Sequence, residues 1–159
     1  MKSQVSSGAA GSAEKQISAF IGKFEPAVAK IIRGCRAELR KILPAALELV
    51  YDNYNFFVIG YAITERASDC ILSIAAASSG VILSFYQGAS LPDPKGILLG
   101  SGKQNRFIRI PNPELLRSRD VLEMIRAAVA QAKTPFPKTG KRRTIIKSIS
   151  KKQRPRRKV

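Results

Sequence analysis

A two-layer α+β fold, one antiparallel sheet covered by N- and C-terminal helices, is what this 159-residue sequence predicts. Three observations predict it. Apolar residues recur at three- and four-residue steps early in the chain and again late in it. Between those stretches lie short apolar segments separated by turn residues. Helices at the two ends and strands in the middle point to one sheet with the helices segregated onto it.

Residues 1–13, rich in Ser, Gly and Ala, read as a flexible lead-in before a domain over 14–134. The first helical pattern places Phe24, Val28, Ile31, Ile32, Cys35, Leu39, Ile42 and Leu43 on one side. Lys23, Lys30, Arg33, Arg40 and Lys41 fall on the other. Pro26 suits a first helical turn, and Pro44 interrupts the pattern and can open a short second helix, Ala45 to Val50. Tyr51–Asn55 reads as an aromatic-rich turn. Strands are expected over Phe56–Thr64, Cys70–Ala76 and Val81–Tyr86, joined by polar turns, which gives an antiparallel meander. Gln87–Gln104 is a long loop, Arg106–Ile110 a half-buried strand, and Val121, Leu122, Ile125, Val129 and Ala132 mark a helix with Ser118 at its N-cap. Residues 135–159 form a basic C-terminal tail. Within it 143–150 has the β-branched content of an added strand, and Lys151–Val159 has nothing to bury and is expected to be disordered alone.

The formal net charge is +17, and it is unevenly placed: Lys133–Val159 holds 12 of the 28 Lys/Arg and none of the 11 Asp/Glu. Such a block points to an interaction with a polyanion or to a solubilising extension. Histidine is absent, which removes Ser-His and Cys-His nucleophile pairs and histidine metal ligands. Cys35 and Cys70 form no disulfide framework and no zinc pattern, and a reducing, cytoplasmic setting fits them. No secretory signal is apparent, and no apolar run approaches the roughly 18 residues of a membrane span. A membrane partner is therefore not expected, and no catalytic residue, cofactor or metal-ligand set is assigned.

From Ile17 to Ala132 the chain resembles the YdhG-like domain family. The run that carries the resemblance is Ser84-Phe85-Tyr86-Gln87-Gly88-Ala89-Ser90-Leu91-Pro92-Asp93-Pro94, then Leu98-Leu99-Gly100-Ser101-Gly102-Lys103 and Arg106–Ile110. It keeps in order that family's aromatic-rich strand, glycine, L-x-D-P step, G-x-G-K turn and strand of alternating arginine and apolar residues. The ending, Lys147-Ser148-Ile149-Ser150 and Lys152-Gln153-Arg154-Pro155-Arg156-Arg157, is similar to a subgroup with a basic tail. The resemblance implies helices packed on one sheet in a frataxin-like arrangement. Some members are labelled iron chaperones, but Lys30, Arg33, Arg36, Arg40 and Lys41 against Glu25 and Glu38 make the first helix one that repels cations.

Two sets of residues are candidates for binding. In the loop, Lys103, Arg106 and Arg109, with Tyr86 and Asp93, are expected to hold a small anionic ligand, the glycines turning backbone N–H groups inward; a Gly-shaped turn with solvated basic side chains is the competing reading. It is not a Walker A loop, since Ile97 stands where the first glycine belongs and Gln104 follows the lysine. In the tail, Arg142, Arg143, Lys147, Lys151, Lys152, Arg154, Arg156 and Arg157 are expected to neutralise phosphates without reading sequence. No aromatic residue follows Phe136, so the tail itself offers nothing for a base to stack on. The expected function is a non-enzymatic binding module for an anionic partner, nucleic acid first. The alternative is small-ligand or metal-ion (iron) handling at the Gln87–Arg109 loop.

Overall fold

The computed structural model describes residues 2–136 and 142–158, with side chains from residue 11 onward. Helix α1 (Lys2–Gly22) and helix α2 (Pro26–Ile42) are followed by strands β1 (Leu47–Asp52), β2 (Phe57–Ala62), β3 (Cys70–Ala77), β4 (Gly80–Phe85) and β5 (Arg106–Ile110). Helix α3 (Arg119–Ala130) and strand β6 (Thr144–Ile149) complete the chain. The six strands form a single sheet in the order β5-β4-β3-β2-β1-β6. Neighbours from β1 to β5 pair antiparallel; short turns join β1 through β4, and a long loop joins β4 to β5. β6 pairs parallel with β1, so the sheet is mixed. A parallel partner needs a crossover rather than a hairpin, and the whole chain from β2 to α3 supplies it. The fold is α+β, with one sheet and its helices.

The main core lies between the helices and one sheet face. Ile17, Phe20, Ile21 and Phe24 join Ile32, Cys35 and Leu39 of α2, Val121 and Ile125 of α3, and Val50, Ile59, Tyr61, Ile74, Leu83 and Ile108 of the sheet. Pro26 opens α2 in its first turn, where its missing N–H costs nothing. Gly34 allows a close approach on the outer side of α2, because a Cβ there would collide with Pro113 in the short helical turn before α3. Ser118 stands at the N-cap position of α3, although its hydroxyl donates back to Leu115 O.

Three expectations are corrected. Residues 2–13 are helical, the first half of α1, not a lead-in. Ala is the best helix former, the stretch lacks proline, and Ala13 and Ile17 have a core to enter. The second helix expected over Ala45–Val50 is strand instead, since Leu47-Glu48-Leu49-Val50-Tyr51-Asp52 alternates between the two sheet faces. Finally, the boundary at 134 divides one sheet. β6 lies within the tail, and the residues after it are anchored to the body rather than free.

Candidate functional site

The loop residues do not converge. Asp93 folds its own loop: its carboxylate accepts from Ile97 N–H at 2.8 Å and Leu98 N–H at 3.0 Å. Arg106 donates to Gly102 O and Asn105 O, so its guanidinium caps the preceding turn. Gly88 brings the loop onto β5, where an added Cβ would lie 2.5 Å from Arg106 Cβ. Lys103 is exposed. Arg109 is exposed with its guanidinium 5.7 Å from the Phe107 ring. Tyr86 belongs to the small cluster of Leu49, Ala62 and Cys70 on the sheet face away from the main core. There, burial pushes the Tyr86 phenol up to about 12 and the Cys70 thiol up to about 11. Arg106 thus turns back onto its own loop, while Lys103 and Arg109 are exposed apart from it.

A cleft of about 580 Å³ does open beside this loop. Gln87, Ser90 and Gln104 line it from the loop, Thr64 and Asp69 from the β2–β3 turn, and Gln131 and Lys133 from the end of α3. Its polar lining is mostly carboxamide and hydroxyl, with one carboxylate (Asp69) and one cation (Lys133), over an apolar wall of Ile63, Ile71 and Phe85. Among the described residues no group of three His, Cys, Asp or Glu could hold a metal ion.

The tail is where the charge chemistry is. β1 carries two carboxylates on its helix-facing side, Glu48 and Asp52, both wholly buried. Glu48 accepts from Arg36 and Arg40, from Tyr61 Oη at 2.9 Å and from Thr144 Oγ1 at 2.8 Å. Burial alone would raise its carboxyl, but the arginine hydrogen bonds outweigh burial and hold it at about 2. Asp52 accepts from Lys23 Nζ at 2.7 Å and from Arg156 Nη2 at 2.9 Å. Burial pushes it up, and these partners with Gln153 bring it below the usual value.

Arg156 is 5% exposed, lies 5.8 Å from the Phe24 ring and donates also to Asn53 O; its Nε and Nη1 are buried with no partner. Backbone bonds tie the same segment down: Ser150 N–H donates to Asp52 O and Arg154 N–H to Tyr54 O, each at 2.9 Å. Arg157 reaches Lys23 O. Of the other tail candidates, Arg142 donates to Arg40 O, Arg143 pairs with Glu65 at 3.0 Å and Lys147 donates to Glu65 O. Lys151, Lys152, Arg154 and Arg157 remain exposed.

The expectation that Lys151–Val159 is disordered alone is therefore corrected for 151–158, and Val159 lies outside the described residues. The physical reason is that buried Asp52 needs cations, and Arg156 supplies one beside Lys23 from 104 residues away. This docking also sets Arg154 against Tyr54 in the β1–β2 turn, a neighbour that the aromatic-rich run Tyr51–Asn55 did not reveal. Tyr54 and Phe56, both in that turn, are 45% and 44% exposed. No helix of the described residues is long and apolar enough to cross a membrane. In comparisons with known proteins, no family model, no curated protein and no solved structure matches this chain.

Proposed function

We propose that this protein is a non-enzymatic binding module for a polyanion, nucleic acid first, and on the quoted loop and tail motifs a YdhG-like one working in a reducing cytoplasm. The supporting observation is the division of labour among the charges. Apart from Glu25 and Glu114, each acidic side chain is held by a cation, a hydroxyl or a backbone N–H within the fold. Among the described residues of the tail, only Arg143 and Arg156 pair with carboxylates, leaving Lys151, Lys152, Arg154 and Arg157 exposed on a segment fixed by hydrogen bonds. A fixed cationic surface binds phosphates with less ordering cost than a loose appendage.

The test is binding of a labelled duplex oligonucleotide across a salt series. With about five phosphate contacts, log affinity falls against log salt with a slope near −4.5. The exposed triple variant Lys151→Gln, Lys152→Gln, Arg157→Gln reduces that slope by about 3. Salt-independent binding, or an unchanged slope in the variant, overturns the reading. A second reading, a small polar ligand in the Gln87–Gln131 cleft, is favoured by that cleft's volume of about 580 Å³. Binding there would survive the triple substitution and fail with Gln131→Leu.

A further inference from the structure

The docked tail and the β1–β2 turn form one surface with two kinds of chemistry. The turn is closed by Asn53 N–H donating to Phe56 O at 3.0 Å, which presents Tyr54, Asn55 and Phe56 to solvent. Arg154 binds Tyr54 twice, through its backbone N–H to Tyr54 O at 2.9 Å and with its guanidinium 5.7 Å from the ring. Even with Arg154 in place Tyr54 is 45% exposed. Ile149, 48% exposed, pairs with Asp52 at the root of the same turn. Lys151 and Lys152 fall between the anchors at Ser150 and Arg154, and Arg157 follows the buried Arg156. A cation and a flat ring, Arg154 and Tyr54, thus stand side by side, with Phe56 exposed in the same turn, and the two segments lie about a hundred residues apart, as the Ser148–Asn53 hydroxyl-to-carboxamide bond at a separation of 95 also records.

We propose that the Tyr54–Phe56 turn and the Lys151–Arg157 segment together bind single-stranded nucleic acid, with bases stacked on Tyr54 and Phe56 and phosphates on Lys151, Lys152 and Arg157. This rests on the polyanion reading and narrows it. Duplex bases are already stacked on one another and offer their edges, whereas unpaired bases offer faces to aromatic rings. An arginine beside the ring strengthens such a platform through cation–π attraction. The exposed Asn55 carboxamide can both donate to and accept from a base edge. An anionic lipid surface also attracts cations and aromatics, but seating this turn in it would strip water from Asn55 and from the Lys151 and Lys152 side chains around it. Charge complementarity with adjacent stacking faces therefore favours the nucleic acid.

The experiment compares three probes of equal length on the full chain: a single-stranded oligothymidine, the same backbone without bases, and a duplex. The base-bearing strand is expected to bind about tenfold or more tightly than the abasic one, since stacking contributes about 1–3 kcal/mol per base. The variant Tyr54→Ala, Phe56→Ala changes only exposed side chains. It should bind the oligothymidine no better than the abasic strand and leave duplex binding unchanged, with its melting temperature confirming the fold. The chain contains no tryptophan, so Phe56→Trp gives a single reporter, quenched by oligothymidine and not by the abasic strand. Equal affinity for base-bearing and abasic strands, with duplex binding retained, overturns stacking and leaves the polyanion reading standing. Binding to phosphatidylserine vesicles with no binding to any of the three probes overturns both.

Discussion

Glu48 is a carboxylate without access to water whose charge is kept by two arginines, a tyrosine and a threonine. Its carboxyl lies at about 2 in the fold against the ordinary 4.5. As pH falls, the unfolded chain takes up this proton first. The stabilisation is therefore fully present above pH 4.5 and is lost as pH drops from there to about 2. A shift of this size corresponds to about 3 kcal/mol. Asp52, also lowered, loses its contribution in the same direction. The variant Glu48→Gln leaves Arg36 and Arg40 with Glu14 alone, itself 46% exposed, and is expected to lose about 3–5 kcal/mol at neutral pH. Denaturant unfolding at pH 7 and pH 3 should then show a smaller gap between the two pH values than in the unsubstituted protein. An undiminished gap would assign the acid sensitivity to other carboxylates.

β6 has no hairpin to hold it to β1; its position depends on side chains at both of its ends. Thr144 bonds Glu48 at one end, and Arg156 bonds Asp52 beyond the other. Arg156→Ala leaves Asp52 with Lys23 and removes the guanidinium from Phe24. The expected result is a loss of about 3 kcal/mol and faster tryptic cleavage at Lys151 and Lys152, read by melting and limited proteolysis. A chain ending at residue 142 fares worse, because the β1 edge from Glu48 to Asp52 is exposed and prone to pair with other chains. Such a truncation therefore does not isolate the role of charge in binding, and substitutions at exposed lysines do. The elements differ in how far they were legible. β2 to β4 were readable as short apolar runs bounded by turn residues, and β5 by its alternation of arginine and apolar residues. β1 was not, because Glu48 and Asp52 interrupt its apolar face and the cations that justify them lie up to 104 residues away. α1 was hidden by a Ser/Gly/Ala composition shared with linkers. At the site, the basic tail was visible as charge, but its seat on Asp52 and the contact of Arg154 with Tyr54 exist only in three dimensions.

For the molecule as a whole, a net charge of +17, with Glu38, Glu48 and Asp52 buried and most other carboxylates paired, leaves a surface of one dominant sign. Such a surface repels itself, and dissolved ions relieve the repulsion within a Debye length of about 10 Å at 0.1 M. The melting temperature is accordingly expected to rise between 10 mM and 200 mM salt, opposite in sign to the effect on polyanion binding; scanning calorimetry over that range checks it. A fall would show that the internal ion pairs outweigh the surface repulsion.

The parallel pairing of the last strand with the first also sets an order on how the chain matures. Glu48 and Thr144 meet across 96 residues, a contact that is slow to find and comes late. While the polypeptide is being synthesised, five strands are in hand before the sixth exists, and one margin of the sheet stays unsaturated. β6 comes after the other five strands in the chain, and it is the one that seals that margin. A message that stops before the codons of β6 would thus yield a product that holds five strands and is yet open along its side.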